Sequence, residues 1–385
     1  MKEFAIISYP GADDDLLLSL THKRSRYLLP IGGKFRVVDF TLRNSFSCGA
    51  LTTVIYNNQE DRLEDYVENY GPFDEKNPKI RVVSHKYSDI SFCYKVLKEI
   101  KAGYYIIYNG DNPSIINMTE VMEKYKSKKS KALLFRLKIN GKPSMAHKIL
   151  VIDQSTLLKT VRKAIKEGRS SPNIFEMIIN ILINKGIAKV NFKASYWPIK
   201  NIPQYYALNK EVIWNRELST KIYKENIIQS QIKANGYAQI GKHGKIKSSF
   251  ISDYCNINGE VDNSIIFPGV EIGEKTVVKD SIILPFVKIG ANSRIIKSII
   301  DERTDLNSEI DYYNVGHSCR IGSQDKHIKN KDFPNSLFDS ITVIGKDSRV
   351  LDTANIGGAC YVASGLGEDF FTRKKYLYDG QSIIE

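Results

Sequence analysis

The chain has 385 residues, 42% of them hydrophobic, and this length predicts two domains rather than one core. Its net charge of +13 is spread along the chain without the aromatic-interleaved basic stripe of nucleic-acid binders, so a nucleic-acid partner is not expected, whereas small phosphorylated ligands fit. The five cysteines form no CxxC pair, which excludes a disulfide scaffold or a zinc site of that kind. With no membrane-length apolar run and no signal-peptide pattern, the prediction is a cytoplasmic protein without membrane contact.

Short β-rich runs alternate with helical ones up to about Asn215. The predicted strands are "FAIIS", "LTTVIYNN", "KIRVVS", "YYIIYNGD", "KALLFRL" and "KILVID". The predicted helices are Asp61–Tyr70, Ile90–Lys101, Thr119–Lys128, Gln154–Glu167 and Pro172–Lys185. This alternation predicts a Rossmann-like α/β domain with a mostly parallel sheet.

The first strand runs into the turn Gly11-Ala12-Asp13-Asp14-Asp15 and then a leucine-rich stretch. Nucleotide-binding α/β proteins place a glycine-rich phosphate loop in this position. One glycine and three consecutive carboxylates would repel a triphosphate. We therefore interpret the aspartates as a solvated helix N-terminus, where carboxylates are favourable.

From about residue 237 a six-residue aliphatic period replaces this alternation. Four segments align at Ser249, Ser264, Ser281 and Ser298, which are 15, 17 and 17 residues apart. Such a period fits a triangular coil whose three sides each point one aliphatic side chain inward, and it resembles the left-handed hexapeptide-repeat family. The predicted domains are an α/β domain at 1–215, a linker at 216–236 and a left-handed parallel β-helix at 237–385, resuming after an insertion of unexplained role at about 322–339.

The stretch "RSRYLLPIGGKFRVVDFTLRNSFSCGA" at residues 24–50 resembles the signature of glucose-1-phosphate adenylyltransferase, also called ADP-glucose pyrophosphorylase. That family also joins a nucleotidyltransferase domain to a β-helix, so the resemblance extends over the whole chain. It implies conversion of ATP and glucose 1-phosphate to ADP-glucose and pyrophosphate in glycogen biosynthesis. The matching positions are Pro30, Gly32, Gly33, Lys34, Arg36, Asp39, Phe40, Leu42, Asn44 and Gly49.

The resemblance also implies a metal ligand. "YYIIYNGDN" resembles the family's strand that ends in Gly-Asp, so Asp111, next to Gly110, would match a carboxylate that holds Mg²⁺. A carboxylate at the carboxyl end of a parallel strand is well placed for this work. Mg²⁺ is the cofactor expected if the chain is active, and no cofactor is expected otherwise. The same tetrapeptide, 109–112, is also an ordinary turn on composition alone.

Cations near the Gly32-Gly33 turn are the candidate phosphate ligands. We predict that Arg26, Lys34 and Arg36 bind the phosphate of a substrate or of a sugar-phosphate effector. For Asp39, a purely structural role is the preferred interpretation.

The departures from the family pattern are systematic. Its phosphate loop G-G-x-G-T-R-L is replaced by 9–15, its F-x-E-K-P segment is absent, and its Y-W-x-D-V-G-T segment reads Tyr196-Trp197-Pro198-Ile199-Lys200, without the second metal carboxylate. Single electrostatic groups are worth about 10²–10³ in rate, so their combined loss predicts a very poor catalyst. The chain most resembles the regulatory, GlgD-type subunit, which implies a catalytic partner in a hetero-oligomer, expected to be a tetramer, or else a homo-oligomer.

Three alternatives remain open from the sequence. The first is an active nucleotidyltransferase that uses Asp111 and an atypical site. The second is a hexapeptide-repeat acyltransferase with His317 as general base. The third, an exchange subunit of similar two-domain build, is disfavoured by the close match at residues 24–50.

Overall fold

The computed structural model describes residues 4–11, 15–46, 48–69, 78–84, 89–139, 142–224, 228, 230, 236–304, 312–325, 327–367 and 375–384. The loop residues Ala12, Asp13 and Asp14, the predicted helix end at Tyr70 and much of the predicted linker lie outside the described residues.

The first part of the chain alternates strands and helices as predicted. Its strands are β1 Phe4–Tyr9, β2 Pro30–Ile31, β3 Phe35–Arg36, β4 Thr52–Tyr56, β5 Lys79–Val83, β6 Tyr104–Asn109, β7 Ser114–Ile115, β8 Ala132–Ile139, β9 Lys142–Asp153, β10 Ala188–Phe192 and β11 Ser195–Tyr196. Its helices are α1 Ser19–His22, α2 Val37–Phe46, α3 Leu63–Glu68, α4 Ile90–Glu99, α5 Met118–Ser127, α6 Gln154–Lys166, α7 Ile174–Asn184, α8 Ile202–Trp214 and α9 Arg216–Ser219. Short 3₁₀ turns lie at Asp15–Leu17 and Arg26–Leu28, and a π-helical turn at Thr220–Lys224.

In the described part of the chain, seven strands form one mixed sheet in the order β10-β8-β9-β6-β1-β4-β5. Strands β5, β4, β1 and β6 are parallel neighbours, and β9 joins antiparallel to both β6 and β8. The buried β-branched and aromatic residues of β1 and β6 face helices on both sides, which is the Rossmann-like arrangement expected from the sequence. The carboxyl ends of β1 and β6 therefore lie side by side.

Capping side chains determine where several helices begin. The helix predicted from Pro172 begins instead at Ile174, because the side chain of Asn173 caps it by accepting from the amide of Glu176. Asp89, Asn117, Asp153 and Asn201 cap other helices in the same way. Among the described helices, none combines the length and apolarity that a bilayer span requires.

The second part is the predicted left-handed parallel β-helix. Three stacks of short parallel strands form its sides: β12-β15-β18-β21, then β13-β16-β19-β22-β24-β26-β28, then β14-β17-β20-β23-β25-β27-β29. Their bounds are β12 Gln239–Ile240, β13 Lys245–Lys247, β14 Phe250–Ile251, β15 Asn256–Ile257, β16 Glu260–Asp262, β17 Ile265–Ile266, β18 Glu271–Ile272, β19 Val277–Lys279, β20 Ile282–Ile283, β21 Lys288–Ile289, β22 Arg294–Ile296, β23 Ser298–Ile300, β24 Arg320–Ile321, β25 Thr342–Ile344, β26 Asn355–Ile356, β27 Tyr361–Val362, β28 Tyr376–Leu377 and β29 Ser382–Ile383.

The four repeat serines form a ladder between successive coils. The hydroxyl of Ser249 accepts from the amide of Ser264 at 3.1 Å, that of Ser264 from Ser281 at 3.0 Å, and that of Ser281 from Ser298 at 3.1 Å. The 15- and 17-residue spacings therefore place equivalent residues directly above one another, as the repeat predicts.

The insertion leaves the solenoid after β24, and the solenoid resumes at β25, which pairs with β23. Ser336 in this insertion accepts from the amide of Ile202 at 3.1 Å, and Asn330 donates to the carbonyl of Ala359 at 2.9 Å. The insertion therefore bridges the first residue of α8 to a late coil. Division of the chain at residues 215 and 236 stays a prediction.

The third side of the solenoid packs against the α/β part. Its outward-facing apolar residues share one buried cluster with α8 and with the β2–β3 hairpin. The solenoid contributes Phe250, Ile265, Ile282, Ile299, Val343 and Tyr361 to this cluster. The Gly32-Gly33 turn at the hairpin tip meets it, because a Cβ on Gly33 would lie 2.3 Å from the ring of Phe250.

We expect Gly33→Ala to destabilise this junction more than Gly49→Ala. Both glycines have positive φ, 83° and 70°, so both alanines incur left-handed strain of about 1–2 kcal/mol. Only the alanine at 33 would also overlap a side chain, which adds about 1–3 kcal/mol. Among the described residues, none apart from the two chain neighbours of Gly49 comes within 4 Å of a Cβ at that position. Urea unfolding of the two variants measures the difference, and equal losses would contradict tight packing at Gly33.

Candidate functional site

Asp111 lies just past the carboxyl end of β6, and its side chain is fully buried. Its Oδ2 accepts from the backbone amide of Gly11 at 2.6 Å, and its Oδ1 accepts from Nδ2 of Asn112 at 2.8 Å. A Cβ on the preceding Gly110 would lie 1.9 Å from Oγ of Ser8, so this turn has no room for a side chain. The loop after β1 therefore bonds directly to the predicted metal ligand.

Arg26 is buried against the same carboxylate. Its Nη1 lies 3.8 Å from Oδ2 of Asp111, and its Nη2 donates to the carbonyl oxygen of Ile199. Both side chains of this ion pair are almost completely shielded from solvent, with 7% and 0% exposure. A guanidinium of the protein itself thus compensates the charge of Asp111.

Ile199 stands where the resemblance places the family's second metal carboxylate. Its amide donates to Oδ1 of Asn112 at 2.8 Å, and its side chain is buried. Mg²⁺ in nucleotidyl-transfer sites takes carboxylates together with substrate phosphates. Here the carboxylate of Asp111 is held by an amide and a guanidinium, and the described residues contain no group of three His, Cys, Asp or Glu that could hold a metal. The described residues around Asp111 therefore do not fit a Mg²⁺ site.

A partly buried ion pair lies at the same edge of the sheet, with the side chain of Lys148 6% exposed and that of Glu176 34% exposed. Nζ of Lys148, on β9, pairs with Oε1 of Glu176, on α7, and Oε2 of Glu176 accepts from the hydroxyl of Tyr9 at 3.0 Å. The ring of Tyr9 also stacks on Phe175, with centroids 5.7 Å apart. These contacts join the last residue of β1 to α7 and, through Glu176, to β9, next to the segment that replaces the family's phosphate loop.

His147 lies next to this ion pair and is uncharged at neutral pH. Burial, together with the nearby charges of Lys200 and Lys148, lowers the pKa of His147 to about 4. Its ring lies 4.3 Å from that of Tyr196, whose hydroxyl donates to Asn109 at 3.4 Å. The imidazole of His147 is therefore packed against an aromatic ring and lies near two lysines.

Lys34 lies at the tip of the β2–β3 hairpin, among aromatic rings. Its Nζ is 5.2 Å from the ring centroid of Phe35 and 5.8 Å from that of Tyr223. The adjacent Gly32 donates to the side chain of Asn209 at 2.8 Å, and its carbonyl accepts from the hydroxyl of Tyr223. The glycine turn thus binds α8 and the π-helical turn through its backbone.

Arg36 belongs to an ion cluster between the α/β part and the solenoid. Its Nη2 lies 2.9 Å from Oε2 of Glu302, which also contacts Arg24 at 2.8 Å. Arg24 is fully buried and binds both oxygens of Asp301, at 2.8 and 3.0 Å. Burial alone would raise the pKa of Glu302, but Arg36, Arg24 and Lys346 together hold it well below its ordinary value. Asp301 and Glu302 of the solenoid therefore form ion pairs with two arginines of the α/β part.

A cavity of about 600 Å³ opens beside this cluster. Its lining holds more cationic than acidic side chains, the acidic ones being Glu60, Asp61, Asp65 and Glu302. The cationic ones are Lys23, Arg24, Arg36, Arg62, Arg303 and Lys346. The arrangement suits a small anion at the domain junction.

The structure brings Arg26 together with Asp111 and Gly110, whereas Lys34 and Arg36 contact different groups. Phosphate binding by the three cations stays a prediction. Sequence reasoning missed Arg24, although it begins the matching stretch, and its partners Asp301 and Glu302, although they break the aliphatic pattern of a repeat.

Asp39 binds the backbone at the start of α2 and a tyrosine of α3, and a purely structural role for it stays a prediction. One carboxylate oxygen accepts from the amide of Arg36 at 2.8 Å and the other from the hydroxyl of Tyr66 at 2.9 Å. Burial raises the pKa of Asp39 to about 7 against these hydrogen bonds. The side chain thereby fixes the first turn of α2.

His317, the candidate acyltransferase base, lies at a corner of the solenoid. Its Nδ1 accepts from the amide of Ala291 at 3.0 Å, so a neutral imidazole carries its proton on Nε2. The lone pair of Nδ1 is then used by the backbone amide, and Nε2 holds the ring proton. This geometry does not favour a general base.

A family described as GlmU-like, C-terminal hexapeptide, matches residues 234–328. The glucose-1-phosphate adenylyltransferase of Acetivibrio thermocellus is 25% identical over 92% of this chain and 92% of its own length. The enzyme of the same name from Clostridium kluyveri is 26% identical over 74% of this chain and 86% of its own length. The chain is a distant homologue of these enzymes. The resemblance to glucose-1-phosphate adenylyltransferases is thereby confirmed, and the GlgD-type assignment stays a prediction.

We expect Arg24→Met to cost about 3–5 kcal/mol of unfolding free energy, because it leaves Asp301 buried without its main partner. Arg81→Met is the matched control. It removes the exposed pair with Glu99, whose side chains are 47% and 63% exposed, and should cost about 0–1 kcal/mol. Denaturant unfolding of both variants checks this, and similar losses would mean that the buried cluster does not stabilise the domain junction.

Proposed function

We propose that this chain is a regulatory subunit of a glucose-1-phosphate adenylyltransferase in glycogen biosynthesis and has little or no activity of its own. The proposal rests on the contacts of the Asp111 carboxylate. This carboxylate bonds to the amide of Gly11 and lies 3.8 Å from Arg26, with Ile199 where the family has its second carboxylate.

The chemistry of the reaction explains why these contacts matter. Nucleotidyl transfer depends on positioning and on charge neutralisation by metal ions and cations around the phosphates. In this chain Arg26 lies 3.8 Å from Asp111, and Lys148 is paired with Glu176. The charged side chains at this edge of the sheet thus pair with one another, and in the proposal they do not bind a triphosphate.

We propose a catalytic glucose-1-phosphate adenylyltransferase subunit as the partner, in a hetero-oligomer. The first coil of the solenoid supports an interface there. Ile240 and Ile246 are 46% and 40% exposed, although Ile257 and Val261, stacked on them, are completely buried. A coil of the partner's own β-helix would cover these side chains and pair with the open strand edges.

We further propose that the cavity beside Arg36 binds a sugar-phosphate effector. Its excess of cationic side chains supports an anionic ligand, and it lies where the two domains meet. A ligand that contacts lining residues of both the α/β part and the solenoid would stabilise one orientation of the two domains relative to the others.

In an assay of pyrophosphate release from ATP, glucose 1-phosphate and Mg²⁺, we expect no turnover by this chain alone. Mixed with a catalytic homologue from the same cell, it should change the partner's rate or its response to effectors. Asp111→Asn should leave that change intact, because Asp111 has no catalytic duty in the proposal. Sedimentation of the mixture measures whether a hetero-oligomer forms.

Turnover by the chain alone, abolished by Asp111→Asn, would instead establish an active nucleotidyltransferase with an atypical site. Normal sedimentation as separate species, with no effect on the partner's rate, would overturn the regulatory proposal.

For the effector site, fructose 1,6-bisphosphate is the probe. We expect it to raise the midpoint of thermal unfolding in the wild type and in Lys34→Gln, because Lys34 does not line the cavity. Arg36→Gln should weaken or abolish the shift, since binding to the folded state is what raises its stability. The reverse order, with Lys34→Gln impaired and Arg36→Gln normal, would place the effector elsewhere.

A further inference from the structure

A second cavity, of about 580 Å³, lies away from the ion cluster. The β7–β11 ribbon and residues 197–198 line it together with residues of α8 and α9. Its volume is within the range of about 300–1,000 Å³ that is common for small-ligand sites. Of the residues that line it, Tyr196 also belongs to the surroundings of Asp111, and the regulatory proposal uses none of them.

Trp197 gives this cavity an aromatic wall that is fixed in place. Its backbone amide donates to the carbonyl of Pro113 at 3.0 Å, and its indole Nε1 donates to Oε1 of Glu211 at 3.3 Å. Glu211 lies on α8, so this hydrogen bond joins the two sides of the cavity. The indole is half-buried and lines the cavity.

The other polar side chains of the cavity carry opposite charges in equal number, and they include both hydrogen-bond donors and acceptors. Two lysines, Lys138 and Lys221, face two glutamates, Glu211 and Glu217, and Lys221 pairs with Glu217 at 2.7 Å. The side-chain amide of Gln204 also lines the cavity, accepting from the backbone of Lys200 at 2.9 Å. Donors and acceptors therefore occur side by side without a surplus of either sign.

The helix at the edge of the cavity departs from regular geometry. After α9 the backbone forms a π-helical turn over Thr220–Lys224, which carries Lys221. Turns of this kind are rare and occur frequently at functional sites, because they place side chains where a regular α-helix would not.

We propose that this cavity binds a neutral carbohydrate. A sugar ring offers apolar C–H groups that pack against an indole, and hydroxyls that both donate to carboxylates and accept from amides and ammonium groups. A phosphate or nucleotide would bring its charge next to two glutamates without a surplus of cations to receive it. The cavity beside Arg36 has that surplus, so the two cavities differ in the ligands that they suit.

The chain contains two tryptophans, Trp197 and Trp214, which makes the test direct. In Trp214→Phe, Trp197 is the sole tryptophan, and we expect glucose, maltose or maltoheptaose to change its fluorescence with a saturable dependence. Trp214 is 40% exposed and does not line the cavity, so by calorimetry this variant should bind the sugar as the wild type does.

Trp197→Ala and Glu211→Ala should each weaken sugar binding by about tenfold or more, measured by calorimetry on proteins whose thermal unfolding matches the wild type. Glu211 is exposed, so its truncation keeps the test valid if the tryptophan variant fails to fold. Absence of binding of all three sugars to the wild type would overturn the proposal. So would unchanged affinity in Glu211→Ala, or competition for the site by inorganic phosphate.

Discussion

The burial of one side of the solenoid against the α/β part is the constraint on which the rest of the structure depends. The third stack of strands turns one apolar residue outward in each of several coils, among them Ile265, Ile282 and Ile299. In an isolated solenoid these residues would face water, which is unfavourable for aliphatic side chains. Packed against α8 and the β2–β3 hairpin, they fix the coils relative to the sheet, and they bring Asp301 and Glu302 to the arginines of the other domain.

Part of the stretch at residues 24–50, which resembles the enzymes, contributes to this junction. Residues 30–36 supply a hairpin that packs on the solenoid, with Gly33 against Phe250 and Arg36 against Glu302. At the other end of the same stretch, Arg26 faces Asp111. Residues that a sequence comparison groups as one motif thus serve two separate places, one at the sheet edge and one between the domains.

The sequence was sufficient to predict the solenoid, because its repeat is visible as a local period. A serine at the start of each coil and an aliphatic side chain every six residues specify the solenoid, because each coil repeats the same contacts with its neighbour. It could not predict Arg24 with Asp301, which are 277 residues apart, because that pair depends on how two domains pack. The pairing of Lys148 with Glu176 and of Gly11 with Asp111 likewise follows from tertiary folding, which no spacing reveals.

The contacts of Asp111 make metal binding at this place unfavourable. A carboxylate that awaits a metal is an unfavourable charge in the apo protein, whereas this one is already satisfied by the fold. Replacing Ile199 by aspartate would add a second buried acid, with the guanidinium of Arg26 still bonded to the carbonyl of that residue and close to Asp111. Metal binding at this place would therefore require Arg26 and the loop at Gly11 to change together, because either change alone leaves the other contact of Asp111 in place.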